Sequence, residues 1–212
     1  MENVTDRTSN PFGMQPEGDA HVYGYGDANA DFHVVGDHPG AHGGIDTGVP
    51  FTGTEAGVRL QHALAAVDLI TDPGDDPVVD NLFLSYRHMR VLEEDREPTP
   101  TEYADFEMFF DAELRAITAH VLLPVGREAT EHVLEQYTAR LGKVDTDDMA
   151  ALHGEEISGN GFLVVPVRDP HDWDDGDGRA LAESLADLMA RDYRRESDLG
   201  RFLTGPDPYR VR

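Results

Sequence analysis

Two kinds of apolar pattern alternate along the chain. Short apolar runs, rich in Val, Leu and Phe and bounded by Gly, Pro or Asp, predict buried strands. These runs are residues 32–35, 78–84, 121–125 and 162–167. Longer segments with apolar side chains every three or four residues predict amphipathic helices. These are residues 57–70, 100–118, a segment opening at Gly126, and 180–194. The alternation predicts the α/β class: a three-layer α/β/α sandwich around a central, mainly parallel four-stranded sheet.

The helix predicted over residues 100–118 has a clear start signal. Thr99 is a good N-cap, Pro100 suits the first helical position, and Glu102 completes a capping box. Polar, Gly- and Pro-containing segments lie outside the periodic region. We therefore expect an irregular N-terminal arm over residues 1–20, one domain over 21–196 and a C-terminal tail over 197–212.

The charge balance is strongly acidic. Lys and Arg together number 17 against 42 Asp and Glu, which gives a formal net charge of −25. We interpret this as a solvated acidic surface of a halophilic protein, because molar salt screens charge repulsion to within about 3 Å. The alternative is an acidic patch that binds a cationic partner. The charge argues against strong phosphate-backbone binding at low salt, although a local basic face built from arginines stays possible.

Several classes of protein are excluded or disfavoured by what the chain lacks. With no cysteine it has no disulfide, thiolate metal site or cysteine nucleophile. No apolar run is long enough to span a bilayer and no signal-peptide pattern opens the chain, so we expect a cytoplasmic protein and no membrane partner. A phosphate-binding Gly-Lys loop, a dinucleotide fingerprint and a Gly-x-Ser-x-Gly elbow are absent as well.

The segment after the first predicted strand carries the candidate chemistry. Gly36-Asp37-His38-Pro39-Gly40 ends that strand with an acid and a Pro-Gly turn, and Gly48-Val49-Pro50-Phe51-Thr52-Gly53 adds an aromatic ring. Open α/β sheets bind ligands at this edge. An acid, a histidine, a phenylalanine and exposed backbone N–H groups there would hold a flat polar ring. A metal-dependent hydrolase using Asp37, His38, His42 and Asp46 is an alternative, although their spacing matches no strong metal template.

The order of these motifs resembles the uracil-DNA glycosylase superfamily, in particular its thermostable iron–sulfur type. The two turns above resemble that group's Gly-Glu-x-Pro-Gly and Gly-x-Pro-Phe-x-Gly motifs. Asp80-Asn81-Leu82, Pro98-Thr99-Pro100-Thr101-Glu102 and Leu123-Pro124-Val125-Gly126 follow in the family's order. The likeness covers about residues 21 to 194.

The resemblance implies a reaction and a set of residues. Such enzymes extrude the target base into a pocket. Phe51 would stack on the uracil ring, and the Asn81 amide would read its polar edge. Asp37 would act near the anomeric carbon. Gly36 and His38 belong to the turn whose backbone N–H groups would hold the departing uracil anion, so both are candidate substrate-binding residues.

Two departures from the family pattern change the expectation. The family's cluster is held by four cysteines; since this chain has none, we expect no iron–sulfur cluster and no other cofactor. The family's last motif, His-Pro-Ser, is replaced by Asp169-Pro170-His171. A carboxylate about 4 Å from the leaving anion costs about 4 kcal/mol at an effective dielectric constant of about 20.

Two outcomes remain open at that motif. Either Asp169 turns outward and His171 or Arg168 serves in its place, or catalysis is weak or lost. Arg168, Asp169 and Pro170 are candidate DNA contacts. The leading hypothesis is a monomeric glycosylase that removes uracil or a related deaminated base from DNA in base-excision repair. The alternative is a catalytically inactive relative that binds nucleic acid or nucleotides.

Overall fold

The computed structural model of the chain describes residues 16, 20–93 and 96–200. The arm predicted over residues 1–20 lies almost entirely outside the described residues, as does most of the tail predicted over 197–212. Residues 197–200 are described and belong to a helix, Tyr193–Gly200, that runs past the domain end predicted at residue 196.

A six-stranded sheet forms the centre of the described part of the chain. Its strands are β1 (Tyr25–Gly26), β2 (Phe32–Gly36), β5 (Leu82–Tyr86), β6 (Val121–Pro124), β7 (Ile157–Gly159) and β8 (Phe162–Val164). They lie in the order β1-β5-β2-β6-β8-β7. The four inner strands pair in parallel, and β1 and β7 pair antiparallel at the edges. The mainly parallel sheet is confirmed: its four parallel strands overlap the four predicted runs, and two short edge strands are added to them.

Helices and one small hairpin surround this sheet. The hairpin pairs β3 (Ile70–Asp72) with β4 (Val78–Val79). The helices are α1 (Pro39–His42), α2 (Glu55–Ala65), α3 (Pro100–Ile117), α4 (Gly126–Val133), α5 (Met149–Leu152), α6 (Asp177–Met189) and α7 (Tyr193–Gly200). A π-helical turn, Leu134–Thr138, continues α4, and two 3-10 turns cover Leu141–Lys143 and Pro170–Asp172.

The predicted capping box starts α3. Thr99 Oγ1 accepts the backbone N–H of Glu102 at 3.3 Å, and Glu102 Oε2 accepts the backbone N–H of Thr99 at 2.8 Å. Two otherwise unpaired donors of the first turn are thereby satisfied, which typically stabilises a helix by about 1 kcal/mol. This cap fixes where the first turn of α3 begins.

Helices pack on both faces of the sheet, as the three-layer prediction requires. Successive strand residues point to opposite faces. Val34 therefore packs with Leu60 of α2 and Leu185 of α6 on one side. Val35 packs with Phe110 of α3 on the other. Because the inner strands are covered on both faces, they are uniformly apolar rather than alternating.

The predicted strand over residues 78–84 is not one strand. Pairing in the hairpin ends at Val79, Asn81 adopts a left-handed backbone with φ 52°, and β5 begins only at Leu82. Asn is one of the few residues that tolerates this conformation. Asn81 thus precedes the parallel strand instead of following its end.

Two further boundaries differ from the prediction. In the run 162–167 the strand itself covers only Phe162–Val164, but hydrogen bonds to β6 continue beyond it: the backbone N–H of Val165 donates to Leu122 at 2.9 Å and that of Val167 to Pro124 at 2.8 Å. The helix predicted over 180–194 is divided between α6 and α7. Among the helices of the described residues, none combines the length and the apolar character needed to cross a membrane.

Candidate active site

The carboxyl ends of β2, β5 and β6 meet at one edge of the sheet, because these strands are parallel neighbours. Asp37 directly follows β2 there and is 5% exposed. Its backbone carbonyl accepts the N–H of His88, which lies just beyond β5, at 3.0 Å. Gly126 opens α4 after β6 at the same edge. The predicted position of Asp37 at a ligand-binding edge is therefore present in the fold.

Both carboxylate oxygens of Asp37 are held by neighbouring side chains. Arg87 Nη1 donates to Oδ1 at 2.9 Å, and the Tyr103 hydroxyl donates to Oδ2 at 2.6 Å. The Arg87 guanidinium also lies over the Tyr103 ring, 4.7 Å from its centroid. Burial and the charge of Asp37 raise the pKa of Tyr103, so its hydroxyl stays a donor. The carboxylate is fixed in position by two elements distant in sequence.

The predicted metal-ligand set is only partly assembled. Asp37 and His38 lie with Glu97 in a group whose ligand atoms are all within 4.8 Å of one another; Asp46 and His42 are not in it. His38 Nε2 is 2.8 Å from Glu97 Oε2. A cation would have to compete with Arg87 and Tyr103 for the Asp37 oxygens. The contacts present favour an ion-paired carboxylate over a metal ligand.

Phe51 lies behind the edge rather than open to it. Its ring is 1% exposed and lies between Tyr86 and His42, with ring centroids 5.2 Å and 5.5 Å away. Its backbone N–H donates to the Tyr86 hydroxyl at 2.8 Å. A Cβ at Gly36 would lie 2.7 Å from Phe51 Cζ, so Gly36 permits this packing. The Phe51 ring is therefore buried in this structure, and its stacking on a base stays a prediction.

A cleft of about 170 Å³ opens beside Asp37. Its lining residues are Asp37, Ala41, His42, Glu97, Val125, Gly126, Arg127, Glu128 and Asp169. Burial and then the charge of Asp37 raise the pKa of Glu128. This volume is comparable to that of a cavity of about 150 Å³ that accommodates benzene. A larger groove of about 540 Å³ lies beside α2 and α6, but its lining includes no residue of the carboxyl edge.

His42 and Asp169 lie next to each other in the lining of this cleft. His42 is 3% exposed, and its Nδ1 accepts the backbone N–H of Asp37 at 3.2 Å. His42 Nε2 lies 3.6 Å from Asp169 Oδ2 and has no hydrogen-bond partner among the described residues. Burial raises the pKa of the Asp169 carboxyl, but the His42 side chain and the His171 backbone N–H outweigh it and hold that pKa below its ordinary value. Asp169 is therefore an ionised wall of the cleft.

The other residues of the last motif lie outside the cleft lining. His171 Nε2 is 3.1 Å from the Ala41 carbonyl, and its backbone N–H donates to Asp169 Oδ1 at 2.9 Å. Pro170 is buried and opens a 3-10 turn, so the extended backbone that would place His171 beside Asp169 is not formed. Arg168 donates to Asp174 at 3.0 Å and to Asp177 at 2.9 Å. The motif contributes its carboxylate to the cleft and not its histidine.

Asn81 is at the opposite edge of the sheet, so the expectation that it lies beside Asp37 is wrong. Its Oδ1 accepts the backbone N–H of Asp31 at 2.7 Å, and its Nδ2 donates to Asp31 Oδ2 at 3.2 Å. Asp31 precedes β2 and Asp37 follows it. The six-residue separation corresponds to roughly 20 Å along an extended strand. The residue that pairs with Gly36 at the carboxyl edge of β5 is Tyr86.

The resemblance places one cluster cysteine near Phe106, another in the segment 87–90 and an opening pair in the arm 10–19, of which only residue 16 is described. The His88 ring is 0% exposed, and its centroid lies 4.6 Å from that of Phe106. His21 lies on the other side, 6.0 Å from Phe106. Burial lowers the pKa of His88 to about 4, so the ring is neutral near neutral pH. An iron–sulfur cluster needs thiolate ligands, which the chain lacks, so these residues do not fit one.

Several residues of the site were not singled out from the sequence. Tyr103 reaches Asp37 from the first turn of α3, and Glu97 and Glu128 line the cleft. The strong N-cap at Thr99 was the signal that could have located Tyr103, because it fixes the first turn of α3. This N-cap signal places Tyr103 at the site only once the packing of α3 against the end of β2 is known.

Comparison with known proteins agrees with this architecture. Residues 23–175 match the family model described as the uracil DNA glycosylase superfamily. A type-5 uracil-DNA glycosylase of Pyrobaculum aerophilum is 29% identical over 171 residues, covering 79% of this chain and 73% of that protein. One of Thermus thermophilus is 32% identical over 124 residues, covering 56% of each. One of Mycobacterium bovis is 29% identical over 114 residues, covering 52% of this chain and 42% of that protein.

The family match spans most of the domain, including β2, the cleft and the loop that carries Asp169. The resemblance based on motif order is thus confirmed by two separate comparisons. The chain belongs to the uracil DNA glycosylase superfamily.

Proposed function

We propose that this protein is a DNA glycosylase that hydrolyses the N-glycosidic bond of uracil, or of a related deaminated base, in DNA. The observation that carries the proposal is the buried carboxylate of Asp37 beside a ring-sized cleft, at the ligand-binding edge of a superfamily domain. The curated relatives carry the name uracil-DNA glycosylase. Base-excision repair is the process in which such an activity would serve.

Asp37 supplies fixed negative charge in this mechanism. Breaking the glycosidic bond places positive charge on the sugar, and a carboxylate already held in place stabilises that charge without reorganising. Arg87 and Tyr103 fix both of its oxygens, so it acts chiefly through position and charge. A water molecule held at its edge would attack the anomeric carbon. Backbone N–H groups of the turn through His38 support the departing base in the proposal.

The departing anion meets the carboxylate of Asp169. Two unit charges about 4 Å apart repel by about 4 kcal/mol at an effective dielectric constant of about 20. His42 Nε2, 3.6 Å from Asp169 Oδ2, offsets part of this field inside the cleft. His171 is engaged with the Ala41 carbonyl at the rim, so its rescue of catalysis would require a change of rotamer. We therefore expect slow turnover.

DNA is the proposed partner, and the proposed interface is the loop that carries Arg168, Asp169 and Pro170. Arg168 contributes to phosphate binding only if it exchanges Asp174 and Asp177 for a phosphate. The net charge of −25 opposes DNA binding at low ionic strength and is screened in molar salt. We also propose that the protein is halophilic, lies in the cytoplasm and acts as a monomer.

We also propose that the protein works without an iron–sulfur cluster or other cofactor. The packing of His88 and Phe106 supports this, because their rings meet where the resemblance places cluster ligands. Iron analysis of the purified protein tests it. Stoichiometric iron bound to a chain without cysteine would contradict it.

The activity is tested with a duplex and a single-stranded oligonucleotide that each carry one uracil. The protein is incubated with each in molar salt, and alkaline treatment then cleaves the strand at abasic sites. The proposal expects cleavage at uracil only, and none at cytosine in the matched oligonucleotide. Binding of the oligonucleotide without any abasic site would support the inactive binding module instead.

A further inference from the structure

The hydrogen bonds around His42 fix the position of its proton. The backbone N–H of Asp37 donates to Nδ1 at 3.2 Å, so Nδ1 carries no proton in this arrangement. The neutral ring therefore presents Nε2–H. His42 lines the cleft, and its Nε2 is buried and has no hydrogen-bond partner among the described residues. A buried donor without a partner is destabilising, so a ligand that accepts a hydrogen bond from it relieves that cost.

An acceptor lies next to this donor. Asp169 Oδ2 is 3.6 Å from His42 Nε2, too far for a good hydrogen bond. Both atoms face Gly126: a Cβ on that residue would lie 3.9 Å from His42 Nε2 and 3.8 Å from Asp169 Oδ2. The space in front of the pair is open because Gly126, with φ 80°, has no side chain.

We propose that His42 and Asp169 together read the lactam edge of the extruded base, meaning an adjacent carbonyl oxygen and ring N–H. This inference rests on the proposed glycosylase function and assigns base recognition to two residues of this chain. His42 Nε2–H donates to the carbonyl oxygen, and Asp169 Oδ2 accepts the ring N–H. The pair supplies one donor and one acceptor, as a single amide side chain does. Asn81 cannot supply them, since it lies at the far edge of the sheet.

The pair distinguishes between bases by the hydrogen-bond donors and acceptors on the edge of each base. Uracil offers a carbonyl oxygen beside N3–H, which complements the pair. Cytosine, held in the same register, turns an amino group towards His42 and a lone pair towards Asp169. Leaving the half-buried charge of Asp169 opposite a lone pair is the kind of mismatch that gives discrimination between bases. The carboxylate that opposes the leaving anion thus serves in recognition of the base.

Binding of the free bases tests the assignment apart from any cleavage. Calorimetry or NMR titration compares uracil with 3-methyluracil, which lacks the N3–H. His42→Asn keeps an acceptor for the Asp37 N–H and removes the donor from the cleft, whereas His42→Gln returns an amide N–H to it. Asp169→Ala removes the acceptor. His62→Asn, on the exposed face of α2, is the control.

If His42 and Asp169 contact the lactam edge of the base, the affinities for uracil and 3-methyluracil change in a specific way. The unaltered protein binds uracil about tenfold more tightly than 3-methyluracil, and Asp169→Ala binds the two alike. His42→Asn binds uracil about tenfold more weakly, His42→Gln recovers part of the loss, and the control is unchanged. Circular dichroism confirms that each variant is folded.

Two results overturn the inference: equal binding of uracil and 3-methyluracil by the unaltered protein, or failure of that protein to bind uracil. Unchanged uracil binding by folded His42→Asn overturns the role of His42. The proposed function fails by a different result, in which the unaltered protein binds uracil as expected yet releases none from DNA.

Discussion

The hydroxyl of Tyr103 donates to Asp37 Oδ2 across 2.6 Å and joins the first turn of α3 to the carboxyl end of β2. The two residues are 66 positions apart in the sequence. Arg87, which holds the other carboxylate oxygen, lies over the same ring. The geometry of the candidate catalytic carboxylate therefore depends on where a distant helix begins.

Tyr103→Phe removes this hydrogen bond and leaves the ring under Arg87. We expect uracil excision to slow about tenfold, which corresponds to about 1.4 kcal/mol, because Asp37 Oδ2 loses its fixed orientation. Single-turnover cleavage of the uracil oligonucleotide measures it. Tyr137→Phe, whose hydroxyl donates to Asp111 at 3.4 Å, is the matched control and keeps full activity. Equal activity of both variants would show that the Tyr103 hydroxyl does not contribute to uracil excision.

Asn81→Ala tests whether Asn81 stabilises the fold or takes part in catalysis. The amide holds Asp31 at the edge opposite the cleft, and its backbone has φ 52°, which an alanine adopts at a cost of about 1–2 kcal/mol. We expect the midpoint of thermal unfolding to fall while the rate of uracil excision at a permissive temperature stays unchanged. A large loss of activity in a fully folded variant would show that Asn81 contributes to uracil excision.

Gly36→Ala tests the close packing behind the cleft. The added Cβ would lie 2.6 Å from Tyr86 Cε1 and 2.7 Å from Phe51 Cζ, distances that force both rings to move. We expect a loss of about 1–3 kcal/mol in the free energy of unfolding, measured by denaturant titration. Gly142→Ala is the control, since nothing lies within 4 Å of a Cβ there. Similar small effects of the two substitutions would show that the rings are loosely packed.

Acid stability should depend on His33 in the centre of the sheet. The residue is fully buried, and this burial lowers its pKa to about 3 from an ordinary 6.5. Between these values the unfolded chain binds a proton that the folded chain does not. Above pH 6.5 the titration of His33 takes nothing from the free energy of unfolding. Below that pH it lowers the free energy of unfolding by about 1.4 kcal/mol for each pH unit towards pH 3.

His33→Gln removes this titration and keeps a side-chain amide near Ser85, which His33 Nε2 contacts at 2.7 Å. The free energy of unfolding is measured by denaturant titration between about pH 6 and pH 4 in constant molar salt. We expect a shallower pH dependence, by about 1.4 kcal/mol per unit. The same slope in both proteins would assign the acid sensitivity to other groups.

Local patterns were sufficient to predict the parallel centre of the sheet. The apolar runs at β2, β6 and β8 are flanked by turn residues and separated by periodic helices, which leaves few other arrangements. The capping box at Thr99 was predictable because it needs only residues three positions apart. The edge strand β1 has two residues, too short for any periodic signal.

The candidate site was predicted only in part, because long-range packing decides it. Asp37 was found since it directly follows a strand, where the fold class alone indicates a ligand. Asn81 was misplaced because the hairpin strand β4 and the sheet strand β5 form one apolar run interrupted by a left-handed turn. The burial of Phe51 depends on Tyr86 and His42, which are distant in sequence or separated by a turn.

In the proposed mechanism, the Asp37 carboxylate drives cleavage of the glycosidic bond. The most direct measurement is single-turnover uracil excision by Asp37→Asn, which keeps the size of the side chain and removes its charge. Asp46→Asn, at an exposed position outside the cleft lining, is the control. We expect the excision rate of Asp37→Asn to fall at least about a hundredfold, which corresponds to about 2.7 kcal/mol, and that of the control to be unchanged. Excision at the unaltered rate by a folded Asp37→Asn variant would contradict it.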